Sequence, residues 1–420
     1  MNRLTYSGFS MIKSLKEFVT IGGGAAGVFA ALAAKEAYPA ANVVLLEKSA
    51  VLLSKVRVSG GGRCNVTHAC FEPRRLIHNY PRGSKELLGP FHRFQPLDTI
   101  AWFEKRGVRL KTEADGRMFP ITDSSQTIID CLIGQAKTLG VEIRFKQKID
   151  RITFNDGKFN IFFVDGEEVH ASKLLLATGS SPEGYQWAKN LGHTIQNPVP
   201  SLFTFNIPHF PLTHLSGISL ESVTVKLENT DLSQTGPLLI THFGLSGPAV
   251  LKLSAFGARY LHSWGYKSAV SINWLPSHSE EQLFQTLRIL KQHQPAQSLR
   301  TANPFRLPKN LWNALLDFAK DDKLISFTDK DLRKVAQKLK HDVYQIDGKT
   351  THKEEFVTCG GISLHEVDFK TLQSKICPGL YFAGEILDID GVTGGFNFQN
   401  AWTTGYLVGK HAYNDDSSPT

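Results

Sequence analysis

Two glycine-rich segments at opposite ends of this 420-residue chain hold the residues best suited to chemistry. The first, FVTIGGGAAGVFAALAAKEAYPAANVVLLEK, sets Gly22, Gly24 and Gly27 in the spacing G-x-G-x-x-G, between an apolar run and an alanine-rich one. That spacing predicts a dinucleotide site: Gly22 permits the tight turn, Gly24 lets the backbone approach a pyrophosphate, and Gly27 lets helix pack on strand. Ala25 and Ala26 belong to the helix N-terminus, whose amides and dipole favour an anion. Glu47, twenty residues past Gly27 with Lys48 beside it, is placed to accept hydrogen bonds from adenosine ribose hydroxyls. An acidic group there disfavours a 2′-phosphate.

The second segment, GLYFAGEILDIDGVTGGFNFQNAW (residues 379–402), points to bound FAD rather than a diffusible nucleotide. A strand ending at Gly384 and Glu385 offers a carboxylate to ribityl hydroxyls, and Gly394 and Gly395 precede a helix whose amides would face the flavin N1 and C2=O edge. Reduced flavin is negative there, so a helix N-terminus stabilises it. Between the two lies SGGGRCN, in which Ser59, Gly60, Gly61, Arg63, Cys64 and Asn65 combine close backbone approach with a charge for phosphate. Asp388 and Asp390 are read as braces of the C-terminal loop.

These groups need a framework. Residues 18–21 and 43–47 read as buried strands flanking a helix at 25–37, a β-α-β unit. Residues 97–107 and 124–139 read as helices, and 141–154, 157–164 and 172–179 as strands. The last ends in Thr178 and Gly179, a tight turn under a nucleotide. From residue 197, prolines 198, 200, 208 and 211 mark a change to antiparallel strands at 221–230, 236–243 and 267–275, followed by a charged helical stretch at 279–340. The expected fold class is α/β: a Rossmann-like FAD-binding domain formed by both chain ends, with an inserted β-rich domain and helical subdomain. The boundaries expected are 16–196 and 358–414 for the FAD-binding parts, 197–278 and 341–357 for the β-rich insert, and 279–340 for the helical subdomain. The tail NDDSSPT is expected to fray.

Hydrophobic content of 41% is that of a globular protein, and no run reaches the roughly 20 apolar residues that span a bilayer. The N-terminal stretch has no signal-peptide pattern, so a cytoplasmic protein without membrane association is expected. Cys64, Cys70, Cys131, Cys359 and Cys377 show no disulfide or zinc spacing, which predicts reduced thiols and no metal. Net charge is +8, unevenly placed: residues 51–117 carry thirteen Lys/Arg against six Asp/Glu, and 281–340 twelve against six. The two basic stretches suit a phosphate-rich partner, and they equally suit a solvated face plus arginines for the cofactor's pyrophosphate.

The motifs IGGGAAG, LLEK, VSGGGRCNVTH, GRMFP, LLLATG, THFGLSGPAVLKLS, CGGISLHEVDFKTLQSK and GLYFAGEILDIDGVTGGFNFQNAW together resemble the BaiN-like (YhiN-like) flavoprotein family, in the fumarate-reductase-like arm of the glutathione-reductase superfamily. The resemblance implies FAD contacts at Gly22, Gly24, Gly27, Glu47, Arg63, Asn65, Gly179, Gly384, Glu385, Gly395, Asn397 and Phe398, with Ile149 near adenine. One departure is Leu53-Ser54-Lys55, where the family commonly has a Gly-Arg/Lys-Lys step; Arg57 supplies basic charge nearby.

Flavin N5 carries hydride, so the protein need add only a proton donor. Arg117 in GRMFP, His242 in THFG, Cys64 and Cys359 are the candidates, each open to a purely structural role. The function expected is hydride transfer from NAD(P)H, docking transiently because no second glycine fingerprint is present, to an activated C=C acceptor. The resemblance implies two acceptor classes, a small enone-like molecule or a uridine of ribosomal RNA; a non-enzymatic redox-sensing flavoprotein is a further alternative. The basic stretches favour RNA.

Overall fold

The computed structural model describes residues 16–319, 323–350 and 357–413. The tail from residue 414 and part of the expected return segment, residues 351–356, lie outside them. The chain folds as two compact units, Val199–Cys359 and the two flanking parts together.

In the flanking unit, β1 (Lys16–Ile21), α1 (Ala25–Ala37) and β2 (Val43–Leu46) form the β-α-β unit that the glycine spacing predicts. All four residues of β2 are buried, as expected of a parallel strand covered on both faces. β3 (Glu168–Leu176) pairs parallel with β1 on its other side, and helix α2 (Pro182–Asn190) follows it. β4 (Leu380–Phe382), from the far end of the chain, pairs parallel with β3. The central order is therefore β4-β3-β1-β2, with Glu142–Arg144 parallel beyond β2. The closing helix α3 (Phe396–His411) lies against α1 at backbone distance: a Cβ on Gly405 would stand 2.5 Å from the Ala26 carbonyl, and one on Gly409 2.5 Å from that of Ala30. Alanines on one helix and glycines on the other let the two main chains approach, and this docks the last segment onto the first.

The segment 141–154, read from sequence as one strand, is two: Glu142–Arg144 and Ile149–Asn155. Lys146 adopts left-handed φ of 58° between them. The first piece stays with β2, while the second turns away to pair antiparallel with Lys158–Phe163. β4 also ends earlier than the expected Gly384-Glu385, because Gly384 takes φ of 74° and opens a short 3-10 turn, Gly384–Ile386.

Among the described residues the middle unit is built on a seven-stranded antiparallel sheet. Ser219–Leu227, Ser233–Thr241 and Lys267–Asn273 cover the three strands expected there. Helices Glu280–His293, Lys309–Leu315 and Asp329–Lys340 make up the charged stretch. Sheet and helices share one apolar core, with Val225, Leu238 and Trp274 from the sheet side and Leu287, Trp312 and Val335 from the helices. The β-rich and helical parts therefore bury their apolar faces on each other and form one body. Among the described residues no helix is long and apolar enough to cross a membrane.

Candidate cofactor site

The first glycine turn closes onto β3. Gly22 has φ of 112°, its N–H donates to the Leu46 carbonyl at 2.9 Å, and a Cβ there would overlap the Ala177 carbonyl. A Cβ on Gly27 would likewise overlap the Gly22 carbonyl. Gly24 differs, since a Cβ on it would meet nothing within 4 Å. No side chain caps α1 and no acidic residue sits in its first turn, where Ala25 and Ala26 stand, so the positive end of the helix faces that open space. A pyrophosphate fits there for reasons of both room and charge.

Glu47 is held by the turn it serves. Its Oε2 accepts the Gly23 N–H at 2.7 Å and its Oε1 the Ser49 N–H at 2.7 Å. Each carboxylate oxygen keeps a second lone pair, which leaves capacity for ribose hydroxyls. The Gln147 N–H donates to the Glu47 carbonyl at 2.9 Å, two residues before the strand that starts at Ile149 and turns away from β2. Lys48 turns to Glu183, 3.6 Å away.

In SGGGRCN, Gly60, Gly61, Gly62 and Cys64 all take left-handed φ, between 57° and 83°. Ser59 donates to the Val56 carbonyl and precedes this curl. Arg63 lies 4.0 Å over the Phe119 ring and bonds Glu113 Oε1 at 2.6 Å. Glu113 Oε2 accepts from Arg117 at 3.0 Å, so one carboxylate joins two arginines that the sequence assigned to different tasks. Arg117 also bonds Asp115 at 2.7 Å. Cys64 is fully enclosed, and burial pushes its thiol up to about 12. A thiol in that position stays protonated across the physiological range. Cys359, in the middle unit, is buried as well.

The two chain ends are latched at Asn65. Its amide, oriented as its neighbours' donors and acceptors require, donates to the Thr67 carbonyl and accepts the Gly395 N–H, both at 3.0 Å. Gly395 is the residue before α3, with φ of 93°, and a Cβ on it would stand 2.5 Å from the Thr67 carbonyl. Like α1, α3 begins without a side-chain cap or an acidic first turn. Gly394 adjoins the Phe396 ring, which stacks on His68 at 4.6 Å. The Asn397 amide closes on Gly391, accepting its N–H at 2.8 Å and donating to its carbonyl at 2.9 Å. Phe398 stacks on Trp402 at 5.7 Å.

The C-terminal loop is braced from below by Asp390. This fully buried carboxylate receives both Nε and Nη2 of Arg82, itself nearly buried. Glu385 bonds Lys55 at 2.5 Å, so the lysine at the family departure reaches the proposed ribityl carboxylate. Gly179, with φ of 60°, faces the same carboxylate, 3.6 Å from where its Cβ would be. Sequence reasoning missed Lys55, Glu113 and Arg82. Nothing in the motifs signals a carboxylate or cation brought in from fifty or more residues away.

His242 belongs to the middle unit, exposed at a cleft of about 310 Å³ that Asn206, His209, Thr213 and Phe243 also line. Arg117 and Cys64 belong to the flanking unit.

Residues 16–411 match the HI0933-like protein Rossmann domain. The chain belongs to that family. A relative, the ribosomal RNA dihydrouridine synthase of Escherichia coli (strain K12), is 30% identical over 402 residues, covering 92% of this chain and 96% of the relative. The 3-dehydro-bile acid delta(4,6)-reductase of Clostridium scindens is 27% identical over 410 residues, covering 93% and 98%. The family resemblance drawn from the motifs therefore holds. Among solved structures, a 3-ketosteroid-delta4-(5alpha)-dehydrogenase from Rhodococcus jostii RHA1 is similar in fold, with a TM-score of 0.50 at 14% identity over 96% of this chain and 98% of that one. The family's architecture here is the α/β class expected, the Rossmann-like fold of FAD-dependent oxidoreductases completed by both chain ends.

Proposed function

We propose that the protein is an FAD-dependent oxidoreductase that takes hydride from NAD(P)H and delivers it to an activated C=C bond, and that this bond belongs to a uridine of ribosomal RNA. The observation that carries the flavin reading is the arrangement at the C-terminal edge of one parallel sheet. An open glycine turn follows β1, Glu47 follows β2, Gly179 follows β3 and Glu385 follows β4. Gly24 and the uncapped end of α1 would hold the pyrophosphate, Glu47 the adenosine ribose, and Glu385 the ribityl chain. The uncapped start of α3 would face the flavin pyrimidine edge. FAD bound there supplies hydride transfer at N5.

The chain's own chemical task is then to protonate the carbon next to the one that receives hydride. His242 suits it: the imidazole is exposed at a cleft and makes no hydrogen bond among the described residues. Arg117, tied to Glu113 and Asp115, suits anchoring an anionic or carbonyl group instead. The middle unit is assigned acceptor recognition. RNA is supported by the names of two 30% identical relatives, both ribosomal RNA dihydrouridine synthases, and by charge. In the helical stretch Arg306, Lys309, Lys323, Lys330 and Lys334 are exposed and form no ion pair among the described residues. Such cations are what phosphates neutralise. The bile-acid reductase relative favours a second reading, the same chemistry on a small enone.

The test is to purify the protein, record its visible spectrum, follow flavin reduction by NADH and NADPH, and map ribosomal RNA dihydrouridine in cells lacking and regaining the gene. A dihydrouridine that disappears and returns supports the RNA reading. An unchanged profile, with reduced flavin reoxidised by an enone, moves the assignment to the small acceptor. Flavin that NAD(P)H reduces and oxygen alone reoxidises points to redox sensing, and absence of yellow colour after FAD reconstitution overturns the whole proposal.

A further inference from the structure

Beside Glu385, two buried hydroxyls have no protein partner among the described residues: Tyr185 Oη on α2 and Thr178 Oγ1 at the end of β3. Tyr185 is 7% exposed. A buried hydroxyl left without a hydrogen bond costs about 1–3 kcal/mol, and buried tyrosines ordinarily find a partner. Neither group is free to swing out to solvent. The start of α2 is packed so closely on Thr178 that a Cβ on Gly184 would overlap its hydroxyl, and Tyr185 is the next residue.

The surroundings say what chemistry is missing. Gly179, next to Thr178, carries no side chain, and the space that a Cβ would fill there faces Glu385 Oε2. Burial, and then the negative fields of Glu385 and Asp388, keep the phenol protonated and hence a donor. Lys55 offsets part of the Glu385 charge, and the Asp388 carboxylate leaves the surroundings of the phenol unfavourable for a phosphate or any other anion. A donor phenol, a hydroxyl that can donate or accept, and an accepting carboxylate make a mixed set, and a mixed set matches alcohol groups, each of which donates once and accepts twice.

We propose that Tyr185 and Thr178 bind the polyol segment of the dinucleotide, the ribityl chain that distinguishes a flavin dinucleotide from a nicotinamide one. The inference rests on the flavin reading above and deepens it. These two hydroxyls select the cofactor's sugar-alcohol half, while the glycine turn and Glu47 select the half shared by every adenine dinucleotide.

The experiment titrates full-length apoprotein with FAD and, separately, with ADP, which lacks the polyol, for wild type, Tyr185→Phe and Thr178→Val, and records the melting temperature of each apoprotein. Each substitution is expected to weaken FAD roughly three- to tenfold, the worth of one hydrogen bond, and to leave ADP affinity unchanged. The apoproteins should melt no lower than wild type, because no protein partner is lost. Unchanged FAD affinity in both variants overturns the inference, as does equal weakening of ADP, which would put the hydroxyls on the adenosine side. A lower-melting Tyr185→Phe apoprotein overturns it too, since the phenol then has a protein partner. Wild type that binds ADP but not FAD overturns the flavin reading itself, an outcome distinct from variants that bind FAD as well as wild type.

Discussion

Replacing Arg82 by Met leaves the Asp390 carboxylate, with no exposed surface, without its guanidinium. Breaking a buried pair from one side costs about 3–5 kcal/mol, because the remaining charge stays desolvated. That is a large part of the roughly 5–15 kcal/mol that holds an ordinary domain folded. An exposed pair of the same chemistry, Arg75 with Glu72 at 81% and 55% exposure, should matter by less than about 1 kcal/mol, so Arg75→Met is the control. Urea unfolding combined with hydrogen exchange of residues 388–395 is the suitable assay, since the two compact units need not unfold together. The expected pattern is a large loss of protection in Arg82→Met, weaker FAD retention, and substantial recovery in Arg82→Met/Asp390→Leu, where both charges are gone. A single variant within about 1 kcal/mol of wild type, or a double variant no better than the single, would refute the claim that this pair braces the loop.

Two further outcomes follow from packing and charge. Gly409→Val places a branched side chain against the Ala30 carbonyl and Ala33 Cβ, and should undock α3 from α1, seen as loss of FAD retention with the two buried tryptophans of the middle unit, Trp274 and Trp312, still shielded. The third concerns His193, which is 3% exposed and held between Glu366 at 3.1 Å and Ser374 at 2.9 Å. Burial holds its imidazole below the usual range, against the pull of Glu366. Burial alone would raise the Glu366 carboxyl, but the Thr194 amide and His193 hold it lower. The unfolded chain therefore takes up the histidine proton first, near pH 6.5. Stability from a neutral His193 is complete above that pH and lost as pH falls towards the depressed folded value. Urea midpoints measured from pH 7 to 5 should drop in wild type and drop less in His193→Gln; parallel curves would contradict the assignment.

The parts of this protein legible in its sequence are those where a local pattern and a backbone requirement coincide. Gly22, Gly24 and Gly27 can be read because their spacing follows from one strand, one turn and one helix, and β2 because a strand covered on both faces is apolar throughout. The break at Lys146 was hidden, since residues 141–154 keep a strand-like composition on both sides of one left-handed residue. In the site, Glu47 was visible by position, but the two amides that aim its carboxylate were not. Glu113 escaped notice because its role exists only once the strand carrying Arg117 stands beside the loop carrying Arg63. The fit of Gly405 and Gly409 onto the alanines of α1 is a complementarity between distant segments, and no local window contains both halves.

The place of β4 in the sheet has a consequence for how the protein is made. One edge of β3 is completed by a strand that leaves the ribosome about two hundred residues later, which at typical synthesis rates is about 10–40 s. During that interval the nascent chain carries an unpaired parallel edge, and α1 has yet to receive α3. The middle unit, with its own core, is fully emerged before either gap can close. Birth order thus runs from the inside outward: the middle unit matures first, and the flanking unit is sealed only by α3, so a product terminated before it would be left with an open sheet that quality-control proteases can recognise.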